Sequence, residues 1–96
     1  MELDKILKEK REEILRIVAC HGARNVQVFG SRARGEARPD SDVDILIQRD
    51  PGRSLLDLIA IKQDLEDLLG CAIDVVTEAA ISPYMRGQVL KEAVKL

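Results

Sequence analysis

Apolar positions along this chain switch between helical and strand-like spacing, and the switches mark out its elements. Over residues 2 to 20, Leu3, Ile6, Leu7, Ile14, Ile17 and Val18 fall near one stripe at helical spacing. Asp4 with Lys8 and Glu12 with Arg16 stand four apart with the acid first, the order that supports a helix. Gly22 is a natural stop. Residues 25 to 30 read as a strand that closes on a Gly30-Ser31 turn. Residues 32 to 41 form a polar, arginine-rich connection broken by Gly35 and Pro39. Residues 42 to 48 read as a second strand, and Pro51-Gly52 turns the chain again.

A second helix follows to about residue 69. Ser54 caps it with Asp57 as acidic partner near its start. Leu55, Leu58, Ile59, Ile61, Leu65, Leu68 and Leu69 give it a broad apolar face before Gly70 ends it. Residues 72 to 77 read as a third strand. Ser82 caps and Pro83 opens a last helix, on which Met85, Val89, Ala93 and Val94 share a side. The order helix, strand, strand, helix, strand, helix predicts an α+β layer structure: a small mixed β-sheet with packed helices. With 96 residues and no linker or repeat, residues 1–96 are expected to form a single domain.

Composition narrows the functional classes. Aromatic residues are only 2% of the chain, Phe29 and Tyr84, so the core is aliphatic and a base-stacking nucleic-acid platform is not expected. A net charge of −2 offers no global basic field for DNA or RNA. No membrane span or signal peptide is legible, which makes the cytoplasm the expected compartment. Cys20 and Cys71 have no metal-ligand spacing and are expected to be small core-lining residues in a reducing compartment.

The candidate chemistry lies in carboxylates and one turn. Residues two apart on a strand share a face, so Asp42 and Asp44 point the same way, with Asp74 on a later strand able to join them. Clustered carboxylates repel, and a divalent cation relieves that repulsion. Magnesium suits them, because it takes oxygen ligands from one or two carboxylates plus substrate phosphates. Two such ions can stabilise the attacking and the leaving oxygen of an in-line displacement. Gly30 lets the backbone approach a phosphate, and Ser31 adds a hydroxyl and an N–H. Arg32 and Arg34 stand next in line to cover a triphosphate. A helical turn at residues 33 to 37 would add a favourable dipole.

Two similar patterns fail. Gly30 and Gly35 have the spacing of P-loop glycines, but Glu36-Ala37 replaces the Lys-Ser/Thr pair. Residues 40 to 44 resemble the start of an EF-hand loop, but Ile45 and Pro51 stand where glycine and glutamate are required. Each remaining feature alone could be an edge aspartate or an ordinary turn. Their combination favours a metal–phosphate site, because a carboxylate in an apolar strand is expensive without a partner.

The run GSRARGEARPDSDVDILI resembles the signature of the DNA polymerase β-like nucleotidyltransferase superfamily. Gly-Ser, then Asp-x-Asp, then a third aspartate on a later strand match at Gly30, Ser31, Asp42, Asp44 and Asp74. Chain length, Ala33-Arg34-Gly35 and the ending LKEAVKL look like the minimal nucleotidyltransferase (MNT) group. The resemblance implies the polymerase β palm-like fold, with Asp42, Asp44 and Asp74 holding two Mg2+ ions and ATP as substrate. It implies an antitoxin that transfers AMP to a tyrosine of a partner HEPN-domain toxin, an RNase. Two alternatives stay open: a binding antitoxin that neutralises its partner by contact, and transfer to a small molecule with a helper subunit. A homo- or hetero-oligomer fits either, with no interface legible.

The remaining residues carry plainer expectations. His21 is expected to be a capping or surface group at the end of the first helix. Tyr84 is expected to be a partly buried anchor for the last helix. The apolar tail Ala93-Val94-Lys95-Leu96 can pack on its own core or on a partner.

Overall fold

The structure is a computed structural model that describes residues 5–30 and 42–96. Leu3, Asp4, Ser31, Arg32 and the rest of the arginine-rich connection lie outside the described residues. The described elements are helices α1 (Lys5–Glu9) and α2 (Arg11–Cys20), strands β1 (Ala23–Phe29) and β2 (Val43–Arg49), helix α3 (Leu55–Leu69) and strand β3 (Ile73–Thr77). A 3-10 turn (Glu78–Ala80), helix α4 (Pro83–Glu92) and the short strand β4 (Val94–Lys95) complete them. The sheet order is β3-β2-β1-β4, with β2 and β3 parallel and the other neighbours antiparallel. This is the small mixed sheet with packed helices that the periodicity predicts. Among the described residues no helix is long and apolar enough to cross a membrane.

The first helix is interrupted at Lys10, whose φ and ψ are −98° and 10°. Helical hydrogen bonds span the interruption: Lys10 N–H donates to Ile6 O at 3.0 Å, and Ile14 N–H to Lys10 O at 2.9 Å. The apolar stripe therefore stays in phase, and Leu7, Ile14 and Val18 are all buried. Among the described residues, surface pairs form there between Lys5 and Glu9 and between Lys10 and Glu13, at 4.0 and 3.7 Å. Such exposed pairs contribute little.

Helix α3 starts and stops where its sequence directs. Ser54 Oγ accepts from Leu56 N–H at 3.2 Å, and Ser54 N–H donates to Asp57 Oδ2 at 3.2 Å. Gly70 closes it in the left-handed conformation, its N–H reaching Glu66 O at 2.8 Å. Because β2 and β3 are parallel, the chain must cross over between them, and α3 is that crossover.

Strand β1 begins two residues earlier than the alternation suggests. Its register slips between Arg24 and Gln27, where three steps along β1 match two along β2. Asn25 takes up the extra residue at a φ of 55°, and its side-chain amide bonds to Gln48 Oε1. This bulge lets Ala23 and Val26, three apart, both bury against the core.

The tail resolves the alternative left by the sequence. Strand β4 pairs with β1, Leu96 N–H donates to Val26 O at 3.0 Å, and Arg11 Nε donates to Leu96 O at 2.8 Å. Leu96 is buried. It packs on the chain's own core. Other expectations are overturned. Tyr84 is 95% exposed rather than a partly buried anchor, because α4 buries only Val89. Met85 is 55% exposed. Cys20 is exposed on the outer side of α2, while Cys71 packs partly against the core. His21 takes up its capping position and also meets Asp64 Oδ2 of α3 at 3.0 Å.

Strand β3 is a sheet edge, and α3 holds its first residue from the side. Ile73 N–H donates to Glu66 Oε2 at 3.2 Å, and Lys62 Nζ donates to Ile73 O at 2.8 Å. Lys62 and Glu66 are themselves 3.0 Å apart. The Lys62 hydrogen bond, followed by that from Ile73, holds the Glu66 carboxyl below its ordinary value of 4.5. A lowered carboxylate pKa means stabilisation that is in place above 4.5 and lost as pH falls through the lowered value. In an NMR titration, the Ile73 amide resonance should therefore shift with a midpoint below 4.5. A midpoint at or above that value would contradict the hydrogen bonding described.

Candidate active site

The two faces of the sheet have different fates. Val43, Ile45 and Ile47 of β2 are buried, as are Val28 opposite Ile45 and Ile73 opposite Val43. They form one core with Leu7, Ile14, Val18, Ile61 and Leu65 from α1, α2 and α3. The intervening residues of β2 face the other way. On that side Leu46 is buried, outside the main core cluster, as is Val89. Helix α4, which carries Val89, packs against β1, and the 3-10 turn packs against β2. Asp44 lies one step nearer the start of β2 on this second face and is partly exposed.

Strand pairing assembles the acidic group. Asp44 is the register partner of Phe29 on one side and of Asp74 on the other. Adjacent strands lie about 4.8 Å apart, so the bases of the Asp44 and Asp74 side chains are neighbours on one face. Asp74 is exposed, and among the described residues no hydrogen bond or ion pair holds its carboxylate. Asp42 is exposed and immediately precedes β2, where Val43 N–H donates to Ala72 O at 3.0 Å. That bond ties the starts of β2 and β3 together.

Gly30 connects the turn to the aspartates. It follows Phe29 at a φ of 76°, where a side chain is strained. A Cβ placed on it would collide with Asp44 Oδ2. The glycine is required twice, once by the turn and once by the carboxylate beneath it. Ser31 and Arg32, the other expected phosphate-binding residues, lie outside the described residues.

The donor set fits magnesium as a substrate-completed site. Among the described residues no three His, Cys, Asp or Glu side chains form a group that could hold a metal alone. Magnesium rarely needs such a cage, because substrate phosphates and water fill the rest of its octahedron. The Asp44 and Asp74 carboxylates on one face of the sheet, beside the Gly30 turn, meet that requirement. An open groove of about 450 Å³ lies at the far end of the strands, between Arg24, Arg49 and Arg86. Arg24 pairs there with Asp50 at 3.6 Å and Arg86 with Glu78 at 3.9 Å. It contains none of the candidate aspartates. Sequence reading passed over Lys62 and Glu66, whose four-residue spacing looks like an ordinary surface pair until β3 is placed beside them.

Known proteins share this arrangement of elements. Residues 2–96 match the family model described as nucleotidyltransferase domain. The protein adenylyltransferase MntA of Thermococcus cleftensis is 41% identical over 91 residues, covering 86% of this chain and 92% of that protein. A solved structure described as a candidate minimal nucleotidyltransferase is 51% identical, with a TM-score of 0.85 over 94% of this chain and 92% of its own. A variant of the toxin–antitoxin complex MntA–HpeT shares the fold at a TM-score of 0.73 and 22% identity, covering 99% of this chain and 72% of that one. The chain belongs to the nucleotidyltransferase domain family, within its minimal group, and is an enzyme of that class.

Proposed function

We propose that this nucleotidyltransferase moves AMP from ATP to a tyrosine hydroxyl of a partner HEPN-domain toxin, and that it acts as that toxin's antitoxin. The observation that carries the reading is the packing of the Gly30 backbone on Asp44, with Asp74 paired beside it. The name of the Thermococcus cleftensis relative supports protein as acceptor. So do the exposed apolar side chains of Leu55, Leu56 and Ile59 on α3 and of Tyr84 and Met85 on α4, which leave surface for a protein partner.

Asp42, Asp44 and Asp74 would hold two magnesium ions. Bound there, the ions supply charge stabilisation for the phosphates and for the attacking oxygen. Gly30 brings backbone N–H groups up to the triphosphate, and Ser31 and Arg32 add a hydroxyl and a guanidinium. Asp74, exposed on the edge strand, faces the side from which an acceptor can arrive. It orients the tyrosine oxygen and takes its proton as that oxygen attacks the α-phosphorus. The bond to the bridging oxygen breaks, and pyrophosphate leaves. Positioning and charge stabilisation suffice for such a step, which is why so small a fold can perform it.

Intact mass of the partner, incubated with enzyme, magnesium and ATP, should rise by whole AMP units. Asp42→Asn and Asp44→Asn should remove that gain without unfolding the domain. Their loss should exceed the roughly 10–100-fold that removal of an outer partner of a metal ligand costs. Full transfer by a folded Asp44→Asn variant would refute the mechanism. Suppression of the toxin by both aspartate variants would show that contact alone provides antitoxin function.

Gly30→Ala should behave differently. It should lower stability by about 1–2 kcal/mol, the cost of a left-handed non-glycine residue. Transfer should fall as severely as in Asp44→Asn, because the new methyl group displaces the Asp44 carboxylate. Chemical denaturation and the mass assay on one preparation measure both effects.

A further inference from the structure

We propose that Lys62 and Glu66 are positioning residues for Asp74, and that α3 sets the aim of this carboxylate through the backbone of Ile73. The proposal rests on the reading that Asp74 acts at the metal. Asp74 stands second on an edge strand and is exposed. No described side chain holds its carboxylate, so among the described residues it is the backbone of β3 that places it on its face of the sheet.

That backbone is restrained from two sides. On one side β3 pairs in parallel with β2, and Asp74 is the partner of Asp44. On the other, an edge strand ordinarily presents its peptide groups to water. Here Lys62 and Glu66 engage both peptide groups of Ile73, the residue directly before Asp74. Glu66 accepts from its N–H at 3.2 Å, and Lys62 donates to its carbonyl at 2.8 Å. The two side chains also lock each other, at 3.0 Å and one helical turn apart on α3. Ile73 itself is buried in the core, so its side chain turns inward while the next one turns outward. With the peptide groups of Ile73 held, rotation of β3 about its own axis is blocked. The Asp74 carboxylate then stays on the face it shares with Asp44. Groups that hydrogen-bond a metal ligand directly commonly change metal affinity by about 10–100-fold, and an effect relayed through the Ile73 backbone is expected at the lower end of that range.

The test uses Mn2+ as the probe metal, titrated in the presence of a non-hydrolysable ATP analogue. Free manganese is followed by electron paramagnetic resonance, so the readout does not depend on turnover. Lys62→Met and Glu66→Ala should each weaken manganese binding about tenfold. Glu66→Gln keeps an acceptor for the Ile73 N–H and should recover most of that loss. In an Asp74→Asn background, Glu66→Ala should add nothing further, because its effect passes through Asp74. Lys62→Met, which keeps the aliphatic stem, carries the test if Glu66→Ala fails to fold.

Unchanged manganese affinity in folded Lys62→Met and Glu66→Ala variants would overturn the proposal. A loss that persists undiminished in the Asp74→Asn background would overturn it as well, since it would reflect a general weakening of the fold. Failure of the underlying reading has its own signature: Asp74→Asn would keep wild-type manganese affinity and full AMP transfer.

Discussion

The close approach of the Gly30 backbone to the Asp44 carboxylate is the constraint on which the rest of the site depends. Antiparallel pairing places Phe29 opposite Asp44, so Gly30, the residue after β1, leaves the sheet beside that carboxylate. A Cβ there would have to push the Asp44 carboxylate aside, and only glycine takes the positive φ without strain. The Gly30 turn and the Asp44 carboxylate, the proposed phosphate and metal binders, are thereby held in contact by backbone geometry.

The second constraint is the parallel pairing of β2 with β3. It brings residue 74 beside residue 44 through a helical crossover, which no hairpin could do. The same crossover commits α3 to the core face, where it joins α1 and α2. On the opposite face Asp44 is half-buried and Asp74 exposed at the acidic end, while Leu46 further along is buried. Placing like charges on neighbouring strands works against the sheet. A fold selected for stability alone has no use for this arrangement. Under the proposed function, cations and phosphates complete it and offset that repulsion.

Much of this was legible because local chemistry and global fold agree. Ser54, Asp57 and Gly70 bound α3 as their residue types require. The apolar runs at 25–30, 42–48 and 72–77 became β1, β2 and β3 within two residues at either end. What escaped the sequence depends on contacts distant in the chain. The Asn25 bulge disguised the start of β1, because it breaks the alternation on which strand recognition rests. Strand β4 is two residues long and exists only through its pairing with β1. The exposure of Tyr84 could not be read from its aromatic character, since α4 contributes a single buried residue. Lys62 and Glu66 gained significance only when the crossover laid β3 against them. Of the expected site, Gly30, Asp42, Asp44 and Asp74 gather at one end of the sheet, and Ser31 and Arg32 lie outside the described residues.

The central claim is that nucleotide and metal meet at the acidic end of the sheet, where Gly30 rests on Asp44. The most direct measurement is paramagnetic broadening of backbone amide resonances by Mn2+ bound with a non-hydrolysable ATP analogue. The account predicts selective loss of signal at Phe29, Gly30, Val43, Asp44 and Asp74, with Arg24, Arg49 and Arg86 unaffected. Broadening centred instead on those three arginines, around the groove at the far end of the strands, would contradict it.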